Sequence, residues 1–84
     1  MFSYVFKSRA LKDLYKLPKD IQRRIMNKID YFVSSGVPLS FAENLVKFEI
    51  GQYRFRVGDY RIIFDLEGEK LIILTMGHRR EIYK

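Results

Sequence analysis

A Gly58-Asp59 pair between two alternating runs constrains this chain more than any other feature. The segment reads Gln52-Tyr53-Arg54-Phe55-Arg56-Val57-Gly58-Asp59-Tyr60-Arg61-Ile62-Ile63-Phe64. Gly-Asp in such a setting predicts a two-residue hairpin turn. The turn then pairs Val57 with Tyr60, Arg56 with Arg61, Phe55 with Ile62 and Arg54 with Ile63. Strand side chains alternate between faces, so Tyr53, Phe55, Val57, Tyr60, Ile62 and Phe64 share one surface. Arg54, Arg56 and Arg61 share the other. Like charges directly opposite each other destabilise a sheet, so a hairpin that sets Arg56 across from Arg61 is suited to hold an anion. Phosphate is the natural candidate.

The rest of the chain predicts a frame for that hairpin. Residues 2–7 carry Tyr4, Val5 and Phe6 and read as a first strand. Ser8 is placed to cap a short helix with Ala10, Leu11, Leu14 and Tyr15 on one face. Leu17-Pro18 ends it, because the residue before proline avoids the α region. Pro18 then starts a second helix, with Ile21, Ile25, Ile29, Phe32 and Val33 inward and Gln22, Arg23, Asn27, Lys28 and Asp30 toward water. Gly36 and Pro38 stop it. Residues 37–44 show no pattern and read as loop, residues 45–50 as a short strand. After a turn at Glu67-Gly68-Glu69, the apolar run 70–76 suits a central strand.

These elements predict an α+β fold: an N-terminal strand, then two antiparallel helices on one face of a mainly antiparallel four- to five-stranded sheet. The helices cover the Phe55 face. A tight turn at Gly68 puts Ile72, Leu74 and Met76 on the arginine side beside Ile63, a mixed surface suited to binding.

The chain has 84 residues, enough for one domain, with a formal charge of +6 and a pI near 9.7. That charge favours polyanionic partners. Without cysteine, disulfides and thiolate metal sites are excluded. Neither a secretory leader nor a membrane-length apolar run is visible, so a cytoplasmic protein is expected.

The tail Gly77-His78-Arg79-Arg80-Glu81-Ile82-Tyr83-Lys84 adds the chain's histidine, two arginines and a tyrosine. Together with the hairpin motif and the Leu11…Leu14…Leu17-Pro18 pattern, it resembles the RelE/ParE superfamily of toxins from toxin–antitoxin pairs. The likeness spans essentially the whole chain. It implies a RelE-like fold and a ribosome-dependent, metal-independent mRNA endonuclease with no cofactor. A RelB-like antitoxin would wrap and block it. In that chemistry the ribose 2′-hydroxyl attacks the adjacent phosphate, which needs a proton acceptor, a proton donor and cations around the phosphorane-like centre.

Arg61 and Arg79 match the family's phosphate-binding arginines, and Tyr83 its terminal tyrosine. Arg54 and Arg56 stand where the RelE type often has lysines. Arginine stays protonated at any relevant pH, so these two are expected as electrostatic clamps. Proton transfer then falls to His78 or Tyr83, with Glu49 a further carboxylate. Arg80 is a further RNA-binding candidate beside Arg54 and Arg56.

Plainer roles stand beside these. The arginine face is otherwise a solvated surface or an ion-pair network with Asp65 and Glu67. His78 is otherwise a strand-end residue, and Tyr83 packing for the sheet edge. Tyr53, Tyr60, Met26 and Met76 read as packing. Arg23, Arg24 and Lys28 read as a solvated helix face, or as contacts to ribosomal RNA phosphates. The alternative function is a ParE-type protein that poisons gyrase by contact and does no RNA chemistry. On either reading Ile63, Ile72, Leu74, Met76 and the helix grooves offer an acidic antitoxin its docking surface.

Overall fold

The computed structural model describes residues 1–46 and 50–83. In chain order the elements are β1 (Ser3–Phe6), α1 (Ser8–Tyr15), α2 (Lys19–Ser34), a 3-10 turn at Pro38–Phe41, β2 (Ala42–Asn44), β3 (Tyr53–Val57), β4 (Tyr60–Glu67) and β5 (Lys70–His78). They form the expected α+β fold. Five strands make one sheet in the order β1-β5-β4-β3-β2, and every pairing is antiparallel except β1 with β5. Parallel neighbours cannot be joined by a hairpin; here β1 and β5 are separated by both helices and the other three strands.

The helices cover one face. Ala10 and Leu14 of α1, and Ile25, Ile29, Phe32 and Val33 of α2, meet Phe55, Val57, Ile62, Phe64, Leu71, Ile73 and Met76 from the sheet. Aromatic contacts knit this core across its layers. Phe64 lies 5.4 Å from Tyr53 and 4.5 Å from Phe55, Phe55 lies 4.6 Å from Phe32, and Phe32 stacks on Phe41 at 4.8 Å. Phe41 therefore gives residues 38–41 a packing reason to curl against α2, where the sequence showed no pattern.

The central hairpin has the predicted register, including Arg56 opposite Arg61. Gly58 at its turn has φ +59°, and a Cβ there would meet the Arg24 guanidinium at 2.8 Å. The positive φ selects glycine, while the guanidinium, the end of a flexible side chain, could swing aside.

Four expectations are corrected. Ser8 is the first residue of α1 rather than its cap. Lys7 stays extended and makes no side-chain cap, because its N–H is held by the Ile73 carbonyl at 2.9 Å, continuing the β1 ladder. The strand expected over residues 45–50 lies earlier, at Ala42–Asn44, while Leu45 and Val46 are outside it; residues 47–49 are outside the described residues. Glu43 sits directly opposite Arg54, and opposite charges across a ladder favour that register. Leu45 N–H then bonds to the Gln52 carbonyl at 2.9 Å and begins the return.

Third, Met76 faces the core and is 3% exposed. Ile63 pairs with Thr75 while Phe64 pairs with Ile73, so Leu74 is an extra residue. A one-residue bulge reverses the faces beyond it. Asp13 of α1 secures the bulge, accepting from Thr75 Oγ1 at 2.6 Å and from the Met76 N–H at 3.3 Å. Fourth, Ile63 is fully buried. Gly51 crosses above it so closely that a Cβ would meet Ile63 at 2.5 Å and Leu74 at 3.0 Å. Of the apolar docking positions expected, only Ile72 and Leu74 are partly exposed.

Tyr4 ties β1 to α2 by donating to Asp30 at 2.6 Å. That bond, then partial burial, then the carboxylate's charge push the phenol up to about 12. A folded pKa above the unfolded value of 10 adds stability that is complete below pH 10 and lost as pH rises through 12. Tyr4→Phe is expected to cost about 1 kcal/mol at neutral pH. In urea titrations the gap between the two proteins should close over that window; a constant gap would discount the bond.

Candidate functional site

The site lies on the outer face of the central hairpin, and its construction begins with alternation. Arg54 and Arg56 of β3 project there, as do Arg61 of β4 and Glu43 of β2. Gly77 of β5 is the partner of Arg61. Having no side chain, it leaves space that the tail fills. The N–H groups of Glu81 and Ile82 bond to the His78 carbonyl at 2.8 and 3.0 Å, so the chain curls back after β5. Ile82 lies over Gly77, its Cδ1 3.7 Å from where a Cβ would stand. Tyr83 is thereby delivered to Arg54.

Glu43 is the counter-ion that residue patterns did not reveal. Its Oε1 lies 3.1 Å from Arg54 Nε and 3.8 Å from Arg56 Nε. The Arg54 hydrogen bond, and then the charges of Arg54, Arg56 and Arg61, hold its carboxyl below the usual carboxylate range. Asp65 and Glu67, expected as possible partners of the arginines, make no ion pair with them among the described residues; Asp65 instead accepts the Gln52 N–H at 2.9 Å. A single acid in a three-residue strand, eleven residues before the arginine it pairs with, gives no periodic signal.

Arg54 donates Nη1 to the Tyr83 hydroxyl at 2.5 Å, and its guanidinium stands 5.8 Å from that ring's centroid. Glu43 first and Tyr83 second push the Arg54 pKa up. Because Tyr83 accepts from Arg54, its own phenolic proton is free to be donated elsewhere. Arg56 is more than half exposed and presents its charge outward.

Arg61 is buried, at 6% exposure, so the face is not the open cationic sheet that the hairpin alone implied. Its Nη1 donates to the Gly58 and Tyr60 carbonyls at 2.9 and 3.0 Å. Burial first, then repulsion from Arg56 and Arg54, lower its pKa. The group is thus a pinned positive charge held beside others of its sign. Such an arrangement is relieved by an incoming anion. Arg79 stands at the hairpin's turn end: its N–H bonds to the Asp59 carbonyl at 2.7 Å and its Nε lies 3.7 Å from Asp59 Oδ1.

Two tail candidates do not join this group. His78 pairs with Tyr60, their rings in edge contact at 5.5 Å, on the helix-facing side of the sheet. Its Nδ1 accepts the Arg80 N–H at 3.1 Å. Alternation separates it from Arg61 as surely as it joins Arg54 to Arg56. The Arg80 side chain is exposed beyond it. Glu49 lies outside the described residues. Among the described residues no three His, Cys, Asp or Glu side chains gather as a metal site, and no helix is long and apolar enough to cross a membrane.

The chain as a whole is similar to known proteins. The family model described as the ParE toxin of type II toxin–antitoxin systems matches residues 4–83. Toxin RelE3 of Methanocaldococcus jannaschii is 32% identical over 81 residues, covering 94% of this chain and 92% of its own. The toxin–antitoxin complex RelBE2 of Mycobacterium tuberculosis contains a chain with TM-score 0.81 and 26% identity, over 93% of this chain and 98% of that one. The RelB–RelE complex of Methanococcus jannaschii gives 0.74 and 28%, over 94% of each chain.

Proposed function

The chain belongs to the ParE toxin family of type II toxin–antitoxin systems, and from that premise we propose that it is a ribosome-dependent, metal-independent endonuclease acting on mRNA in the cytoplasm. The observation carrying this reading is the convergence of Arg54, Arg56, Arg61, Glu43 and Tyr83 on one outer face, with Arg79 at its end.

Each group has work in an internal phosphoryl transfer. Arg56, Arg61 and Arg79 hold the scissile phosphate and offset the negative charge that builds on its oxygens. Glu43, ionised and set among those cations, takes the 2′-hydroxyl proton as O2′ bonds to phosphorus. The P–O5′ bond breaks, and Tyr83 gives its phenolic proton to the leaving O5′. Arg54 orients both, holding the carboxylate through Nε and the phenol through Nη1. The products are a 2′,3′-cyclic phosphate and a 5′-hydroxyl. A depressed carboxyl is a weak base, which fits an enzyme that relies on the ribosome to hold its substrate in line.

A RelB-like antitoxin is the proposed partner. The structural relatives are complexes of RelE with RelB, and an acidic segment laid over the arginine face would neutralise it and meet it quickly.

The test is induction in a translating extract with RNA ends mapped. Cuts within translated message bearing 5′-hydroxyl and cyclic-phosphate ends are expected. Intact message with broken DNA would replace this reading by gyrase poisoning. Glu43→Gln is expected to slow single-turnover cleavage roughly 10²-fold, without weakening RNA binding, since a competing carboxylate is gone. Cleavage at the wild-type rate would remove Glu43 as proton acceptor.

A further inference from the structure

One carboxylate away from the outer face touches the strand that carries the tail. Asp13 of α1, its side chain 16% exposed, stands at the edge of β5 where β1 has ended. The last β1 pairing is Phe6 with Ile73, and the Lys7 N–H extends that ladder by one bond. Past this point α1 packs along β5. A single oxygen, Asp13 Oδ2, accepts from Thr75 Oγ1 at 2.6 Å and from the Met76 N–H at 3.3 Å; the exposed Arg9 is 3.8 Å away. Both donors follow directly on Leu74, the extra residue of the bulge.

We propose that Asp13 is a positioning residue for the arginine site: it selects the bulged register of β5 and thereby seats the tail that brings Tyr83 to Arg54. The inference rests on the nuclease reading for its effect on rate, but not for its effect on register. Counting on from Phe64–Ile73 with no extra residue pairs Ile63 with Leu74, Ile62 with Thr75, Arg61 with Met76 and Tyr60 with Gly77. Alternation then turns Thr75 into the core and Met76 outward against Arg61. Met76 would there compete for the space over the strand that Ile82 takes above Gly77. With Ile82 displaced, Tyr83 loses its approach to Arg54. The bulged register instead sets Gly77 opposite Arg61 and buries Met76. Lys70 to Ile73 pair identically in both registers, so the apolar run does not choose between them. The choice falls on Met76 burial and on the two bonds to Asp13, which are strengthened by the acceptor's charge.

NMR and single-turnover cleavage test this together. In the wild type the Met76 N–H points to Asp13, so Met76 and Ile62 form a close pair without mutual hydrogen bonds. An Hα–Hα NOE between them is expected. Asp13→Ala should replace it by an Ile62–Thr75 NOE and lose the Ile82–Gly77 contact, with the helices intact by circular dichroism. Its cleavage rate at saturating ribosomes should fall roughly 10²-fold, as for other misplaced groups, while the half-saturating concentration stays unchanged. Asp13→Asn keeps an acceptor oxygen and should recover the wild-type NOEs and most of the rate. Thr75→Val removes the hydroxyl without touching α1 and suits residue 75 to the core, so it should slip in the same direction. An Ile62–Met76 NOE kept in Asp13→Ala, or in Thr75→Val if the alanine variant does not fold, would overturn the proposal. So would a shifted register that cuts at the wild-type rate. If the register shifts as expected but even the wild type leaves translated mRNA whole, the placement of the tail by Asp13 stands and the nuclease reading falls.

Discussion

Arg61→Ala is expected to abolish RNA cleavage and growth arrest, the largest functional effect of any single change in this chain. Arg61 is the buried member of the cluster, and in the proposed reaction it would bring charge to the phosphate from beneath, where water screens least. Removing a preorganised charge-stabilising donor typically costs a factor of 10²–10³ in rate. The alanine also leaves the Gly58 and Tyr60 carbonyls without their shared donor, with a stability loss of about 1–3 kcal/mol. Arg61→Lys separates the two effects. It keeps the charge but cannot reproduce the guanidinium fork. We expect it to stay folded, with a melting temperature near wild type, while cleavage still falls roughly 10²-fold. A lysine variant that cuts at the wild-type rate would reduce Arg61 to a structural tie, and a toxic alanine variant would remove it from the site.

Phe64→Ala is expected to unfold the protein, or to lower its melting temperature by more than about 12 °C. The ring is fully buried and stacks on both Tyr53 and Phe55. Excising a buried phenylalanine costs about 3–5 kcal/mol, a large share of the roughly 5–15 kcal/mol that stabilises a typical domain. Its position makes it more than filler. Phe64 is paired with Tyr53 on one side and Ile73 on the other, immediately past the bulge, so its loss also frees the register that aims Arg61 and Met76 to opposite faces. Calorimetry on this variant beside Tyr15→Ala, whose ring is 67% exposed, gives the contrast; the exposed change should stay within about 0.5 kcal/mol. Equal effects would mean that the aromatic ladder does not carry the fold.

How far the chain is legible depends on whether a position belongs to a period. Residues 53–62 alternate around a glycine-containing turn, so the four hairpin pairs from Val57–Tyr60 to Arg54–Ile63 follow from the order of residues. The helical face of α2 was equally readable, since Ile25, Ile29, Phe32 and Val33 recur at helical spacing and are all buried. The run from Leu71 to Leu74 offers no polar residue to mark phase, and there the expected facing failed at Met76. Glu43 sits in a strand of three residues, too short for any period to mark. His78 looked equivalent to Arg79 in the tail, yet one step of alternation sends it to the far face.

Local order alone therefore determined the two helices, the hairpin register and the gathering of Arg54, Arg56 and Arg61 on one surface, because turn stereochemistry and helical or period-two patterns act between near neighbours. Tertiary structure decided which anion faces those arginines, how the tail returns to place Tyr83, and where the bulge falls. Those outcomes depend on β2, α1 and the C-terminal turn meeting the sheet from distant parts of the chain. Long-range contacts of that kind are selected by packing and charge balance in three dimensions, which no local pattern encodes.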